Sequence, residues 1–285
     1  MSSAVLFALM SLFFAGLNDL VFKRYAAKER SRGMVVFTIG LVWAGLQLLL
    51  LWVGGSSLVF DQASLVYGLS AGFALALSNL LLIESLSHIE VSLGSTIYRL
   101  NTLGVVVLSV VLLAESLTPH KTSGIALGVL AVLLLMQAPG TGVDLRRHRL
   151  FVGLAILASL LRAVYGVVTK AGLNRGADSD LLLLIAALCW VLGGAAYARL
   201  REGRFRLSGK KLAYGALCGL LVTLIVNFLV AAVALGEASV VIPIANLSFV
   251  AALLLSVAVG WERLTPRKLS AVACAIVSIA LLSLD

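Results

Sequence analysis

Glu115-Ser-Leu-Thr-Pro-His-Lys121 is a stretch that returns as Glu262-Arg-Leu-Thr-Pro-Arg-Lys268, with each position 147 residues further along the chain. At the same offset, 12 of the 32 residues from position 90 to position 121 are identical, and no gap is needed. Apolar segments share Leu and Val by chance, so the significant identities are those of Glu, Ser, Thr, Pro and Lys. The sequence therefore predicts a duplicated unit.

The composition indicates an integral membrane protein. Of the 285 residues, 61% are hydrophobic and 12% are charged, and the mean hydropathy is +1.09. A soluble domain has a charged fraction of roughly one quarter. The apolar segments are mostly about twenty residues long, enough for a helix to cross a hydrocarbon core of about 30 Å. The first segment lacks a basic start and a cleavage site, so we interpret it as a helix of the mature protein.

The predicted fold is an all-α membrane protein with ten transmembrane helices, built from two inverted five-helix repeats. Residues 1–137 form the first repeat, residues 138–149 a basic cytoplasmic linker, and residues 150–285 the second repeat. Five spans per repeat is an odd number, so the second copy should lie upside down relative to the first, as in many secondary transporters. The predicted spans are residues 3–22, 34–53, 64–86, 91–113, 120–137, 150–172, 181–198, 212–235, 238–260 and 267–284.

Basic residues predict the orientation. Of the 22 Lys and Arg residues, 17 lie on one side of the predicted membrane, whereas only Lys121, Lys170 and Arg175 lie on the other. The positive-inside rule places the 17 in the cytoplasm, so both termini should be outside a multi-pass protein of the cytoplasmic membrane. The basic loops have no interleaved aromatic residues, so we expect membrane lipid as a partner and no nucleic acid.

Several functional classes are not supported by the motifs. Cys189, Cys218 and Cys274 lie far apart in apolar segments, so no disulfide or metal site is expected. No Gly-x-x-x-x-Gly-Lys loop is present, which argues against ATP as the energy source, and no cofactor is expected. The three histidines lack neighbours suited to an enzyme acting on lipid phosphates, so no catalytic residue is assigned.

Two arginines inside the predicted spans are the leading candidates for substrate binding. Arg162 lies about twelve residues into the sixth span, near the bilayer midplane, where an ionisable group is costly and usually functional. It either binds an anionic substrate group or forms a structural ion pair with Glu84 or Asp19. Arg99 shares a helix face with Ser92, Ser95 and Thr102, and its counterpart in the second copy is Asn246. Both matched positions are polar, which suits either a cavity between the copies or a polar helix seam.

Two carboxylates lie near the ends of predicted spans. Asp19 either pairs with Lys23 at the membrane surface or faces inward, where it binds an amine or the coupling proton. Glu84 has a similar position, and a structural role is favoured. Both are candidates for ion coupling.

Neutral polar side chains complete the predicted site. Amides can hydrogen-bond a ligand or a neighbouring helix, and tyrosines near the two arginines can stack on a ring or a cation. These candidate residues are Asn18, Asn79, Asn227, Asn246, Tyr98 and Tyr165.

The duplicated motif itself is interpreted as structural. Thr followed by Pro119 or Pro266 is typical of a helix start, with Thr as N-cap and Pro at the first helical position. The carboxylates of Glu115 and Glu262 suit the positive end of that helix.

A family resemblance rests on the fourth and fifth predicted helices of each copy. The fourth begins with Val-Ser or Ala-Ser and ends at Glu-x-Leu-Thr-Pro, and a Gly- or Ala-rich fifth helix follows. At these residues the chain resembles the EamA-like branch of the drug/metabolite transporter superfamily over nearly its whole length. The family usually has a Pro near the start of the fourth helix. Pro243 matches it, but the first copy has Thr96, so the two halves are expected to bend differently.

The resemblance implies a ten-helix carrier whose central cavity is lined by helices 1, 3, 4, 6, 8 and 9. It further implies transport of small metabolites by alternating access. Related carriers are often drawn with cytoplasmic termini, which the charge distribution opposes.

Together these patterns predict a secondary active transporter of small polar metabolites, such as amino acids or related zwitterions and amines. Export driven by an ion gradient, with a proton or another ion as the coupling partner, is the favoured form. The alternatives are a flippase of a lipid-linked sugar and, less favoured, a membrane-embedded lipid-phosphate enzyme.

Overall fold

A computed structural model describes residues 2–26, 31–55, 60–86, 88, 97–134, 145–203, 208–261 and 263–284. Glu262, Ser92 and Ser95, singled out above, lie outside the described residues, as does the side chain of Lys23. The described part is helical and contains no strand. Its helices are α1 (Ser3–Ala26), α2 (Arg32–Val53), α3 (Gln62–Leu86), α4 (Asn101–Leu113), α5 (Pro119–Leu134), α6 (Leu145–Asn174), α7 (Ser179–Leu200), α8 (Gly209–Leu235), α9 (Ala238–Asn246), α10 (Ser248–Ala258) and α11 (Pro266–Leu282).

Within the described residues, seven helical spans are long and apolar enough to cross a membrane, and shorter apolar helices accompany them. The seven are α1, α2, α3, α6, α7, α8 and the continuous stretch of α9 and α10. The chain is therefore a multi-pass membrane protein. The count of ten crossings stays a prediction, because α4, α5 and α11 are shorter.

Side-chain caps determine where several helices begin. The Asp178 carboxylate accepts a hydrogen bond from the Leu181 backbone N–H at 2.8 Å and starts α7. Asp61 does the same for α3, where the Ser64 backbone N–H donates at 2.7 Å, and the Ser64 hydroxyl bond lowers the pKa of Asp61. Such caps satisfy backbone donors that have no partner within the helix.

Helices α2 and α7 approach each other closely because small residues line their contact. A Cβ added at Gly194 would lie 2.4 Å from the backbone nitrogen of Phe37, and one added at Gly33 would lie 2.6 Å from the backbone nitrogen of Ala198. Without a hydrophobic force between helices in lipid, such backbone-to-backbone packing is a main source of association. Trp43 and Trp190 pack edge to face at 6.0 Å in the same contact, and they are counterparts at the offset of 147.

The packing of the helices follows the duplication. Helix α1 packs on α8 and α10, and its counterpart α6 packs on α3 and α4, the counterparts of α8 and α10. Helices α2 and α7 are counterparts that pack on each other, and so are α5 and α11. Each of these contacts either has an equivalent contact in the other half or, as for α2 with α7 and α5 with α11, joins two helices that are counterparts of each other.

In each copy the chain turns at the same repeat position. Leu247 separates α9 from α10, and Leu100, its counterpart at the offset of 147, forms a turn just before α4. The hydrogen bonds also match, since Leu100 donates to the Ile97 carbonyl at 3.1 Å and Leu247 donates to the Ile244 carbonyl at 3.1 Å. The two halves therefore turn at equivalent points although only one contains Pro243, so the proline does not decide where the helix is interrupted.

Candidate functional site

The two helix interruptions face each other, and Arg99 bridges them. Its guanidinium donates to the Asn246 carbonyl at 3.2 Å and to the Ser248 hydroxyl at 3.0 Å. It also pairs with the Asp19 carboxylate on α1 at 2.7 Å and lies over the Phe249 ring at 5.4 Å. An interrupted helix leaves carbonyls without helical partners, and a guanidinium with five donors is well suited to satisfy them.

The Asn246 side chain continues this network into the first copy. Its amide nitrogen donates to the Asn101 side-chain oxygen at 2.6 Å and to the Thr102 hydroxyl at 3.0 Å. Arg99 and Asn246 are repeat counterparts, and so are Asn101 and Ser248. Polar side chains at matched positions therefore meet between the two halves of the molecule. Sequence reasoning missed Asn101 and Ser248, although the occurrence of a polar residue in both copies at this position was the signal.

A narrow pocket adjoins this network, with little more room than a water molecule needs. Polar groups of α9, α11 and the turn before α4 alternate with apolar side chains of α5 along its wall. The lining residues are Arg99, Leu100, Thr102, Ile125, Gly128, Val129, Val132, Pro243, Asn246, Leu247 and Ser278. The pocket thus lies between residues of the two copies, and its wall combines polar and apolar side chains.

Arg162 has a different environment from Arg99. Its guanidinium lies 5.5 Å from the centre of the Tyr165 ring, and it forms no ion pair or hydrogen bond among the described residues. The Tyr165 hydroxyl is buried and also lacks a hydrogen-bond partner there. The two carboxylates considered as partners of Arg162 are paired elsewhere, Asp19 with Arg99 and Glu84 with Arg201. Arg162 therefore retains its capacity to bind an anion.

Two further predicted residues are found at α3: Asn79 belongs to this helix, and Tyr98 lies next to its residue Ser78. The Ser78 hydroxyl, which is buried, donates to the Ala158 carbonyl of α6 at 2.6 Å and lies 3.3 Å from the Tyr98 hydroxyl. Asn79 donates to the Leu75 carbonyl within α3 at 2.8 Å. Ser78 thus fastens α3 to the helix that holds Arg162, a role that its residue type alone did not reveal.

Glu84 belongs to a polar network at the end of α3 and α7. Its carboxylate accepts hydrogen bonds from the Arg201 guanidinium at 2.5 Å and from the Tyr197 hydroxyl at 2.8 Å. Hydrogen bonding to Glu84 raises the pKa of Arg201, which lies outside the membrane span. This geometry is that of a structural ion pair at the ends of α3 and α7.

Asn227 is part of a buried chain of hydrogen bonds through three helices. Its amide donates to the Gln47 side-chain oxygen at 3.0 Å, and the Gln47 amide donates to the Asp180 carboxylate at 3.0 Å. Gln47 is wholly buried, so it joins α2, α7 and α8. Asn18, by contrast, has a buried side-chain oxygen without a partner among the described residues. Gln47 and Asp180 were not among the predicted residues.

Metal chemistry has no evident site in the described part of the chain. No group of three or more His, Cys, Asp or Glu side chains there could hold a metal ion. Cys189, Cys218 and Cys274 are free thiols.

Comparison with known proteins agrees with this architecture. The statistical model of the EamA-like transporter family matches residues 2–137 and again residues 149–284. The chain belongs to the EamA-like transporter family. This places it in the drug/metabolite transporter superfamily, so the interrupted helices and the two arginines belong to a transporter-like membrane protein.

Among solved structures, the EamA-like chain is similar to a protein known from a crystal structure. The two chains are 15% identical, the match covers 100% of this chain and 97% of the other, and the TM-score is 0.86. At this identity the likeness shows a common fold. No curated protein matches the sequence significantly.

The ion pair between Asp19 and Arg99 should contribute to stability, because it joins α1 to the arginine that contacts the second copy. Asp19→Asn should lower the free energy of unfolding by about 1–2 kcal/mol, because a charged hydrogen bond is lost but both side chains are partly exposed, 38% and 23%. Thermal unfolding of Asp19→Asn, Arg99→Gln and the double variant would measure the interaction energy between the two side chains. Strictly additive losses would show that the pair does not couple the two sites.

Proposed function

We propose that this protein is a secondary active carrier of the cytoplasmic membrane that moves a small polar metabolite between its two halves by alternating access. The metabolite carries an anionic group, and an amino acid or a related zwitterion fits best. Transport is driven by an ion gradient, and export is the favoured direction. The protein is not an enzyme in this proposal.

This proposal rests on the observation that Arg162 forms no ion pair with any of the residues that the structure describes. A cation near the bilayer midplane is costly unless a partner compensates it, yet Arg162 has only the Tyr165 ring as a recorded partner among the described residues. A carboxylate or phosphate of the substrate would supply the missing charge and accept the guanidinium donors. The buried Tyr165 hydroxyl, also without a partner in the described part, offers a further hydrogen bond to the same ligand.

Arg99 has another role in this proposal. Its charge is already compensated by Asp19, and its donors bind the interrupted helix of the second copy. Arg99, Asn246 and Thr102 therefore form the wall of the site on the side of the narrow pocket. Tyr98, Asn79, Asn227 and Asn18 stay candidates for contact with the neutral part of the substrate.

Asp19 is the preferred candidate for ion coupling. It is partly exposed, and it holds the arginine that joins the two helix interruptions. Protonation of its carboxylate would remove one bond of Arg99 and so couple a proton to the shape of the pocket. Glu84 is a weaker candidate, because its bonds to Arg201 and Tyr197 fasten the surface ends of α3 and α7.

An inverted arrangement of ten spans is part of the proposal. Two observations support it: counterpart helices make equivalent contacts with the other half, and the chain turns at the matched residues Leu100 and Leu247. The proposed repeats are residues 1–137 and 150–285, with residues 138–149 as linker. The distribution of basic residues supports termini outside the cytoplasm.

A ligand screen by thermal unfolding of the purified protein in detergent tests the substrate class. Amino acids, amines, organic anions, sugars, nucleosides and lipid-linked sugars would be compared at equal concentration. A ligand at 100 times its Kd should stabilise the folded protein by about 2.7 kcal/mol. We expect stabilisation by zwitterions or organic anions. Stabilisation by amines alone would contradict the role of Arg162, and stabilisation by lipid-linked sugars alone would favour a flippase.

A further inference from the structure

A cluster of four charged residues joins the two copies at the end of the molecule where α5 and α9 begin. We name Glu115, Lys121, Lys170 and Glu237 the charge cluster. The Glu115 carboxylate accepts hydrogen bonds from the backbone N–H groups of Ala238 at 2.8 Å and Ser239 at 2.9 Å. A residue of the first copy therefore caps the first turn of α9 in the second copy, where a carboxylate is favoured.

The two lysines complete the charge cluster. Lys121 is 2% exposed, and its ammonium group binds the Glu237 carboxylate and the Ser116 carbonyl. Lys170 of α6 donates to the Val233 carbonyl at 2.8 Å and attracts both carboxylates electrostatically. Two acids and two bases thus compensate each other, two from each copy. Because the Lys121 side chain is buried, its separation from the partly exposed Glu237 carboxylate would leave a buried charge without compensation.

The charge cluster lies at one end of the route to the pocket. Helix α9 leads from Ser239 at the cluster to Asn246 in the pocket wall, and the residues between them are buried. The Lys121 side chain is 3% exposed and that of its partner Glu237 is 44% exposed, whereas those of Arg99 and Asp19 are 23% and 38% exposed. The structure is therefore closed around the Lys121 ammonium group, and the Glu237 carboxylate at the edge of the charge cluster is partly exposed.

The duplication supplies an independent observation. The counterparts of the cluster at the offset of 147 are Glu262, Lys268, Lys23 and Glu90, each identical to its partner in the other half. No other charged residue of the sequence is identical to its counterpart. The other charged residues have been replaced in one of the two copies, while these four charges have not. A brace needed at one end only would not require the same four charges in both halves, but a carrier that exchanges two equivalent states would.

We propose that the charge cluster is a gate, which closes the route between the pocket and the water on the side of the termini. Opening requires the Glu115 carboxylate to release α9 and Lys121 to separate from Glu237. This inference rests on the alternating-access function proposed above. The four residues act on access to the site and do not bind the substrate.

Thiol accessibility tests the gate without knowledge of the substrate. Ile242, buried on α9 between Ser239 and Asn246, is replaced by Cys in a protein whose native cysteines are replaced by Ala. A membrane-impermeant maleimide is applied to intact cells and to inverted vesicles, so that each face is probed separately. Glu115→Gln should raise the labelling rate at least about tenfold from one face only, since a shift of about 1.4 kcal/mol between two states changes their ratio tenfold.

Glu202→Gln is the matched control. The Glu202 carboxylate likewise caps a helix across the copies, with bonds from the Arg32 and Gly33 backbone N–H groups at 2.7 and 3.0 Å, but at the start of α2. Labelling of Ile242→Cys should stay within about twofold of the parent in this variant, if only the gate controls access. Glu237→Gln is a second test, because it leaves both bonds of Glu115 to α9 in place and removes only the charge that pairs with Lys121.

The outcomes separate the gate from the proposed substrate. Unchanged labelling in Glu115→Gln and Glu237→Gln, or an equal increase from both faces, would overturn the gate. The ligand screen is repeated on the same variants. If a ligand stabilises the protein but labelling in the two variants is unchanged, the gate is rejected and the carrier function is kept. If labelling rises from one face only but no metabolite stabilises the protein, the gate is kept and the proposed substrate class is rejected.

Discussion

Arg162→Gln should abolish the stabilisation of the protein by anionic or zwitterionic ligands. The variant removes the charge that would face the substrate anion, and the loss of one partner of a buried, hydrogen-bonded charge pair costs about 2–5 kcal/mol. The Kd should therefore rise by a factor of roughly 30 or more. Thermal unfolding at a series of ligand concentrations gives this Kd for the parent and the variant. The melting temperature without ligand should not fall, since Arg162 has no ion pair among the described residues.

Arg175→Gln is the control for this experiment. Arg175 lies over the Tyr67 ring at 5.6 Å, close to the 5.5 Å of Arg162 over Tyr165, but it follows the end of α6 and is exposed. Both variants remove a cation from an aromatic ring, and only one of them removes it from the membrane interior. Equal loss of ligand stabilisation in the two variants, or none in Arg162→Gln, would contradict the assignment of Arg162 to the substrate.

Gly194→Ala should be the most destabilising single methyl addition in the contact between α2 and α7. The added carbon would lie 2.4 Å from the Phe37 backbone nitrogen and 2.8 Å from its Cα, and backbone atoms cannot move aside as a side chain can. Overpacking of this kind costs about 1–3 kcal/mol or more. Since α2 and α7 are counterparts that pack on each other, their separation would also disturb the contact between the two copies.

Gly45→Ala is the matched control for the packing prediction. Gly45 lies on α2, one of the same two helices, and a Cβ added there would meet no atom within 4 Å. Alanine is favoured over glycine in a helix by about 1 kcal/mol, so this variant should be neutral or stabilising. Melting temperatures in detergent measure both effects. A Gly194→Ala protein as stable as Gly45→Ala would show that the close approach of α2 to α7 is not important for stability.

Most of the fold could be predicted from the sequence because its signals are strong and local. Hydrophobic segments of membrane-spanning length are readable directly, and the offset of 147 reveals the duplication through residues such as Glu115 and Pro119. The helix interruptions at Leu100 and Leu247 could not be read, because leucine is a good helix former and Pro243 drew attention to one copy only. The chain takes this conformation where Arg99 and Asn246 satisfy the backbone and side chains of the other copy.

The candidate site was predicted only as a set of residues, without their pairings. Mixed charges inside the membrane were visible, but which carboxylate compensates which arginine depends on the packing of distant helices. Asp19 binds Arg99 across 80 residues of sequence, and Glu84 binds Arg201 across 117. Because each carboxylate is satisfied in this way, Arg162 differs from Arg99, and this difference decides which arginine is a substrate candidate.

The sequence by itself determined that the chain crosses the membrane, that it consists of two related halves and that it resembles EamA-like transporters. Those properties depend on residue type and spacing, which are local. Only the tertiary structure decided that Glu115 caps a helix of the opposite half and that Lys121 is buried against Glu237. The physical reason is that charges in a medium of low dielectric constant must be compensated by whatever the fold brings within a few ångströms, and the fold alone selects that partner.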